Sequence, residues 1–147
     1  MSDPFNLQRF VDAQADVIDR VFDELRSGRK RSHWMWFVFP QLAGLGHSAM
    51  AERYAIASLE EARAYLAHPL LSTRLADCSA LVLAVEGHSA NEIFGAPDDQ
   101  KFWSSMTLFA ITADASITVY QSCLQKYFGG RSDRGTLLLL QGNGQPG

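Results

Sequence analysis

The sequence predicts a single compact all-α domain, and three observations lead there. Apolar residues recur at helical spacing over most of the chain, as in Leu7, Phe10, Val11, Ile18, Val21, Phe22 and Leu25. The punctuation between periodic segments is that of helix ends, with Ser or Asp before them and Gly or Pro after. The unbroken apolar runs at 81–85 and 137–140 sit inside longer helical patterns, so a strand at 33–39 would find few partners.

Each element follows from these signals. Residues 3–26 read as one helix, with Asp3 as N-cap, Pro4 at the first helical position and Gly28 as the stop. The apolar run 33–39 reads as a short buried helix ended by Pro40, with Gly44 and Gly46 marking a loop. A helix is expected over 48–57. Ser58-Leu59-Glu60-Glu61 then matches a capping box and opens another helix that stops near His68-Pro69. Pro69 begins a helix to Glu86, with Leu70, Leu71, Leu75, Leu81, Val82 and Val85 as its buried stripe and Gly87 as its stop. Ser89-Ala90-Asn91-Glu92 repeats the capping pattern before a short turn to Phe94. Asp98 is expected to cap a helix to Thr112, Asp114 one to Phe128, and Asp133 a last one through Leu140. The domain is thus expected over 1–140, with 141–147 as a mobile tail lacking core residues.

At 147 residues, 47% hydrophobic and 20% charged, the chain has the composition of a globular protein with a sizeable core. The net charge of −3 is unevenly spread. Between residues 25 and 51 there is no Asp or Glu, while Arg26, Arg29, Lys30 and Arg31 carry four positive charges, which leaves −7 on the remainder. A local basic site on an acidic body suits one compact anion better than a nucleic-acid track. Residues 1–24 carry six acidic groups and no apolar core, so they do not read as a secretory signal. No apolar segment approaches the roughly 20 residues that cross a bilayer. Cys78 and Cys123 lack metal or redox spacing and read as reduced thiols, in keeping with a cytoplasmic location. His33, His47, His68 and His88 are scattered without ligand spacing, so neither a metal nor a cofactor is expected.

Two stretches carry candidate chemistry. The first is Arg29-Lys30-Arg31-Ser32-His33-Trp34-Met35-Trp36. Arginine binds phosphate or carboxylate in bidentate fashion, tryptophan stacks on a base or ring, and imidazole titrates near neutral pH. The structural alternative is a helix C-terminal charge cluster followed by two core tryptophans. The second is Lys101-Phe102-Trp103-Ser104-Ser105, where Lys101, Ser104 and Ser105 share one helix face. That face either completes an anion site or is a solvated polar stripe. Asp98 or Asp99 is placed to pair with one of the cations.

The block Gly28-Arg29-Lys30-Arg31-Ser32-His33-Trp34-Met35-Trp36-Phe37-Val38-Phe39-Pro40-Gln41-Leu42, followed by Gly44-Leu45-Gly46, resembles the signature of a bacterial family catalogued as domain of unknown function 1810. Gly95-x-x-Asp98-x-x-Lys101-x-x-Ser104-Ser105-Met106-Thr107 and Phe128-x-Gly130-x-x-Asp133-x-x-Thr136-Leu137 are similar to it in order and spacing. The resemblance covers about residues 5–140. It implies a small, mainly helical cytoplasmic protein and no established activity. Some members carry a calpastatin-like label, but this chain has none of the long disordered repeats of such an inhibitor.

The residues themselves suggest a site for a small phosphate- or carboxylate-bearing, nucleotide-like molecule. Arg29, Lys30, Arg31, His33, Trp34, Trp36 and Gln41 would form one wall, with Lys101 and Ser105 opposite. A hydrolase would use His33 as its acid or base and water as nucleophile. The competing expectation is an interaction module whose basic-aromatic patch binds an acidic protein segment. Nucleic acid ranks third, because the positive charge is confined to one short run.

Overall fold

Helix α8 (Asp98–Thr112) packs against five other helices, and this explains why its middle is buried on nearly every side. Phe102 and residues 104–109 are all buried. Around it a computed structural model, which describes residues 2–144, arranges nine more helices. They are α1 (Gln8–Ala15), α2 (Ile18–Arg26), α3 (Met35–Val38), α4 (Ala49–Arg53), α5 (Leu59–Ala67), α6 (Pro69–Ala84), α7 (Ala90–Phe94), α9 (Val119–Phe128) and α10 (Arg134–Gly144). No strand occurs among the described residues, and the all-α reading holds. An isolated parallel bridge joins Leu42 to Ile56.

The core is a relay of aromatic rings. Phe10 meets Tyr65 edge-on at 5.1 Å, Tyr65 meets Phe109 at 5.4 Å, and Phe109 meets Tyr120 at 6.0 Å, which ties α1, α5, α8 and α9 together. A second group centres on Phe102, stacked on Phe94 at 4.7 Å and edge-on to Phe39 at 5.1 Å. Cys78 and Cys123 are free thiols buried in this core. Burial pushes both up to about 12.

Several boundaries differ from the sequence expectation, each for an identifiable reason. The helix expected over 3–26 is two helices. Asp3 is not the N-cap, which falls at Leu7; residues 4–6 form a turn, and the Asp3 carboxylate reaches over it to accept from the Leu7 and Gln8 amides at 2.8 and 3.0 Å. The chain breaks again at Asp16-Val17, so that α1 packs on α3 while α2 packs on α6. Gln14 turns inward before the break, donating to the Phe37 carbonyl at 2.7 Å and to the Tyr65 hydroxyl at 3.3 Å. Helix α4 ends at Arg53, short of 57, because the backbone there is drawn away. The Ile56 amide donates to the Gln41 carbonyl, and Arg9 donates to the Arg53 and Ala55 carbonyls. Asp114 closes a local turn by accepting from the Ser116 amide, so α9 starts only at Val119. Helix α10 runs four residues past Leu140, taking in 141–144 of the segment read as a tail; residues 145–147 lie outside the described part.

Capping explains the boundaries that agree. Ser89 and Glu92 satisfy each other's backbone amides at 3.1 and 2.8 Å, a complete capping box on α7. At α5 only half the box forms. The Ser58 hydroxyl accepts from the Glu61 amide, but the Glu61 carboxylate turns to the Ala57 amide and to Arg9 at 2.9 Å. The last carbonyls of α6 are met from α9: Lys126 Nζ donates to Leu83 and Val85, and the Tyr127 hydroxyl donates to Val82 at 2.5 Å.

Candidate functional site

The basic loop after α2 is held in shape by one buried carboxylate. Glu24 accepts from the Arg31 amide, the Ser32 amide, the Ser32 hydroxyl and Trp34 Nε1, at 2.6 to 3.0 Å. Burial opposes its charge, but the four donors outweigh it and bring its pKa down to about 2. Trp34, 1% exposed, is therefore a core residue anchored by its indole N–H, and lines no ligand surface.

Lys30 runs inward rather than into solvent. Its ammonium meets Asp98 Oδ2 at 2.8 Å, with only 7% of the side chain exposed, and lies 5.2 Å from the Trp34 ring centre. The other carboxylate oxygen of Asp98 faces Lys101 Nζ at 3.5 Å, and Lys101 in turn sits 5.2 Å from the Trp36 ring centre. One carboxylate thus stands between two ammonium groups, each over the face of a tryptophan. Of the two roles expected for Asp98, helix cap and partner of a cation, the structure shows the second: it makes no cap bond and is spent on the two lysines.

Beside Lys101 opens a cleft of about 410 Å³ between the loop after α3, the start of α8 and the start of α10. Its polar lining is Gln41, Gln100, Lys101, Ser104 and Asp133, and its apolar lining includes Leu45 and Pro97. Asp133 is fully engaged, accepting from Gln100 Nε2, Ser104 Oγ, the Thr136 amide and the Thr136 hydroxyl. It caps α10 as the sequence suggested, and so fixes one wall. Two glycines let the walls meet. A Cβ on Gly46 would stand 2.6 Å from Ala51 Cβ and 2.9 Å from Gln41 Nε2, and one on Gly135 would stand 3.0 Å from Leu45 Cδ2.

The expected wall is only partly assembled. Gln41 and Lys101 share the cleft, and Trp36 lies beneath Lys101. Arg29, Arg31 and His33 are exposed on the loop and do not line this cleft. Neither arginine makes an ion pair among the described residues. Ser105 points into the core, its hydroxyl buried and without a hydrogen-bond partner, while its neighbour Ser104 reaches the cleft. Sequence reasoning missed Gln100 and Gly135 altogether and read Asp133 only as a cap. The spacing of Lys101 and Ser104 on one face was the signal available for this wall.

Other hollows carry less chemistry. The one beside α5 and α6, about 590 Å³, is bordered by residues 2–5, and its Asp3 and His68 already accept from the Leu7 and Leu71 amides. A third, about 440 Å³, has Arg9 on its wall, but Arg9 is consumed by carbonyls and Glu61. Among the described residues no cluster of His, Cys, Asp or Glu could hold a metal ion, and no helix is long and apolar enough to cross a membrane.

Comparison with known proteins adds identity without adding activity. No curated protein matches the sequence. A crystal structure of the conserved hypothetical protein Rv1873 from Mycobacterium tuberculosis is similar over 95% of this chain and 99% of its own, at 59% identity and a TM-score of 0.92. The family model described as protein of unknown function (DUF1810) matches residues 4–140, and the chain belongs to that family.

Proposed function

We propose that this protein binds a small molecule bearing a phosphate or carboxylate in the cleft between Gln41 and Lys101. The observation that carries the reading is the position of the Lys101 ammonium. It borders a cleft of ligand size, is only 21% exposed, and its nearest carboxylate is already shared with Lys30. The side-chain amide of Gln41 supplies a donor and an acceptor on the same cleft. Trp36 does not line the cleft; its ring lies against the Lys101 ammonium and holds that cation in place at the cleft edge. The reading is one of binding. A hydrolytic role for His33 would require the exposed loop to reach this cleft.

The test is thermal stabilisation at constant ionic strength. Inorganic phosphate and a mononucleotide are expected to raise Tm saturably, and Lys101→Met is expected to abolish the rise while leaving the unliganded protein folded. A rise that never saturates, or one that survives Lys101→Met, overturns the proposal.

A second reading is supported by the exposed, ion-pair-free side chains of Arg29 and Arg31. They suit an acidic segment of a partner protein docking on the loop. An acidic peptide that binds wild type and loses binding in Arg29→Glu/Arg31→Glu, with phosphate binding intact, would favour this surface.

A further inference from the structure

Lys30 has no route to the cleft ligand, yet it holds the carboxylate that would otherwise neutralise Lys101. The two ammonium groups compete for Asp98, and the distances are unequal: 2.8 Å to Lys30 against 3.5 Å to Lys101. Lys30 is also the more buried, 7% exposed against 21%. An ion pair is stronger where water is excluded, so Asp98 is held chiefly by Lys30. Both contacts are anchored. The Lys30 amide donates to the Ile93 carbonyl at 2.8 Å, and Asp98 sits in the first turn of α8, three residues before Lys101.

We infer that Lys30 is a positioning residue for the anion site: by engaging Asp98 from beneath, it leaves the Lys101 ammonium free for an incoming anion. The inference rests on the proposed binding at Lys101. With Lys30 present, the three groups sum to one positive charge, which Lys101 presents at a cleft whose other charged group, Asp133, is occupied by four donors. Without it, Asp98 closes onto Lys101, the pair becomes neutral, and the anion loses its counter-charge. Asp98 is thereby an intramolecular competitor of the ligand, and Lys30 sets how strongly it competes.

A double-mutant cycle separates this arrangement from the plain loss of a nearby positive charge. Phosphate affinity is measured by calorimetry for wild type, Lys30→Met, Asp98→Asn and the double variant, at constant ionic strength. Lys30→Met is expected to weaken binding about five-fold and Asp98→Asn to strengthen it by a similar factor, the scale of a partly exposed ion pair. The decisive comparison is the double variant, in which Lys30→Met is expected to have no effect once Asp98 is neutral. Rescue of this kind would not follow from a packing defect. Equal weakening by Lys30→Met in both backgrounds overturns the inference, because the lysine would then act through space alone. Indifference of phosphate affinity to all three variants overturns it too, while leaving the Lys101 site standing. Failure of wild type to bind phosphate overturns the site itself and this inference with it.

Discussion

Glu24 is the residue on which the basic loop depends. Its carboxylate serves four donors that span Arg31 to Trp34, so its charge is worth more folded than unfolded. The folded pKa, about 2, lies below the ordinary value of 4.5. A depressed carboxylate stabilises the fold fully above about pH 5, and that contribution disappears as pH falls toward 2. The difference corresponds to about 3 kcal/mol. Denaturant unfolding across this range is expected to show wild type losing stability with acid. Glu24→Gln should start lower at neutral pH and change less below pH 5; a parallel pair of curves would contradict the assignment. The two tryptophans make a second contrast at this scale. Trp34→Ala removes a core residue and should cost about 3–5 kcal/mol. Trp36→Ala, at a half-buried position, should cost clearly less and instead diminish stabilisation by a mononucleotide. Equal losses of stability would make Trp36 a second core anchor.

At the level of elements, what could be read from sequence was what is decided locally. The starts of α5, α6 and α7 were legible because Ser58, His68-Pro69 and Ser89 satisfy backbone groups within their own first turn. The ends that misled are decided at a distance. Nothing between residues 3 and 26 announces that α1 will lean on α3 while α2 lies along α6, and the bond from Ile56 to Gln41 is invisible until the chain has folded. Asp98 illustrates the same limit, whereas Asp114 misled through a purely local bond. Both look like caps in the sequence, but one is claimed by two lysines and the other by a local turn. The site was legible in a similar proportion. Residue type and neighbourhood singled out Gln41 and Lys101, which border the cleft, and Trp36, which lies against Lys101. A run of three cations gives no sign that the middle one is buried while its neighbours are exposed, because that depth is fixed by Asp98, nearly seventy residues later in sequence. Ser105 and Ser104 differ by one helical step, which is enough to exchange core for cleft.

Across the whole molecule, helices far apart in sequence complete one another, and the clearest case is the junction of α6 with α9. The carbonyls that end α6 are satisfied by Lys126 and Tyr127, more than forty residues on. Burial also pushes the Tyr127 hydroxyl up to about 12, which extends its role as a donor into the alkaline range. Two segments that share their polar groups in this way cannot come apart one at a time without leaving carbonyls bare. Amide protons near the end of α6 and those of α9 should therefore exchange with deuterium in a single opening event, with similar protection and similar dependence on denaturant. Lys126→Met should lower the protection of the last turn of α6, although the substitution lies on another helix. Independent exchange of the two segments would mean that the contact is incidental. If they open together, α6 and α9 form one cooperative unit, and α9 is the latch on the end of α6.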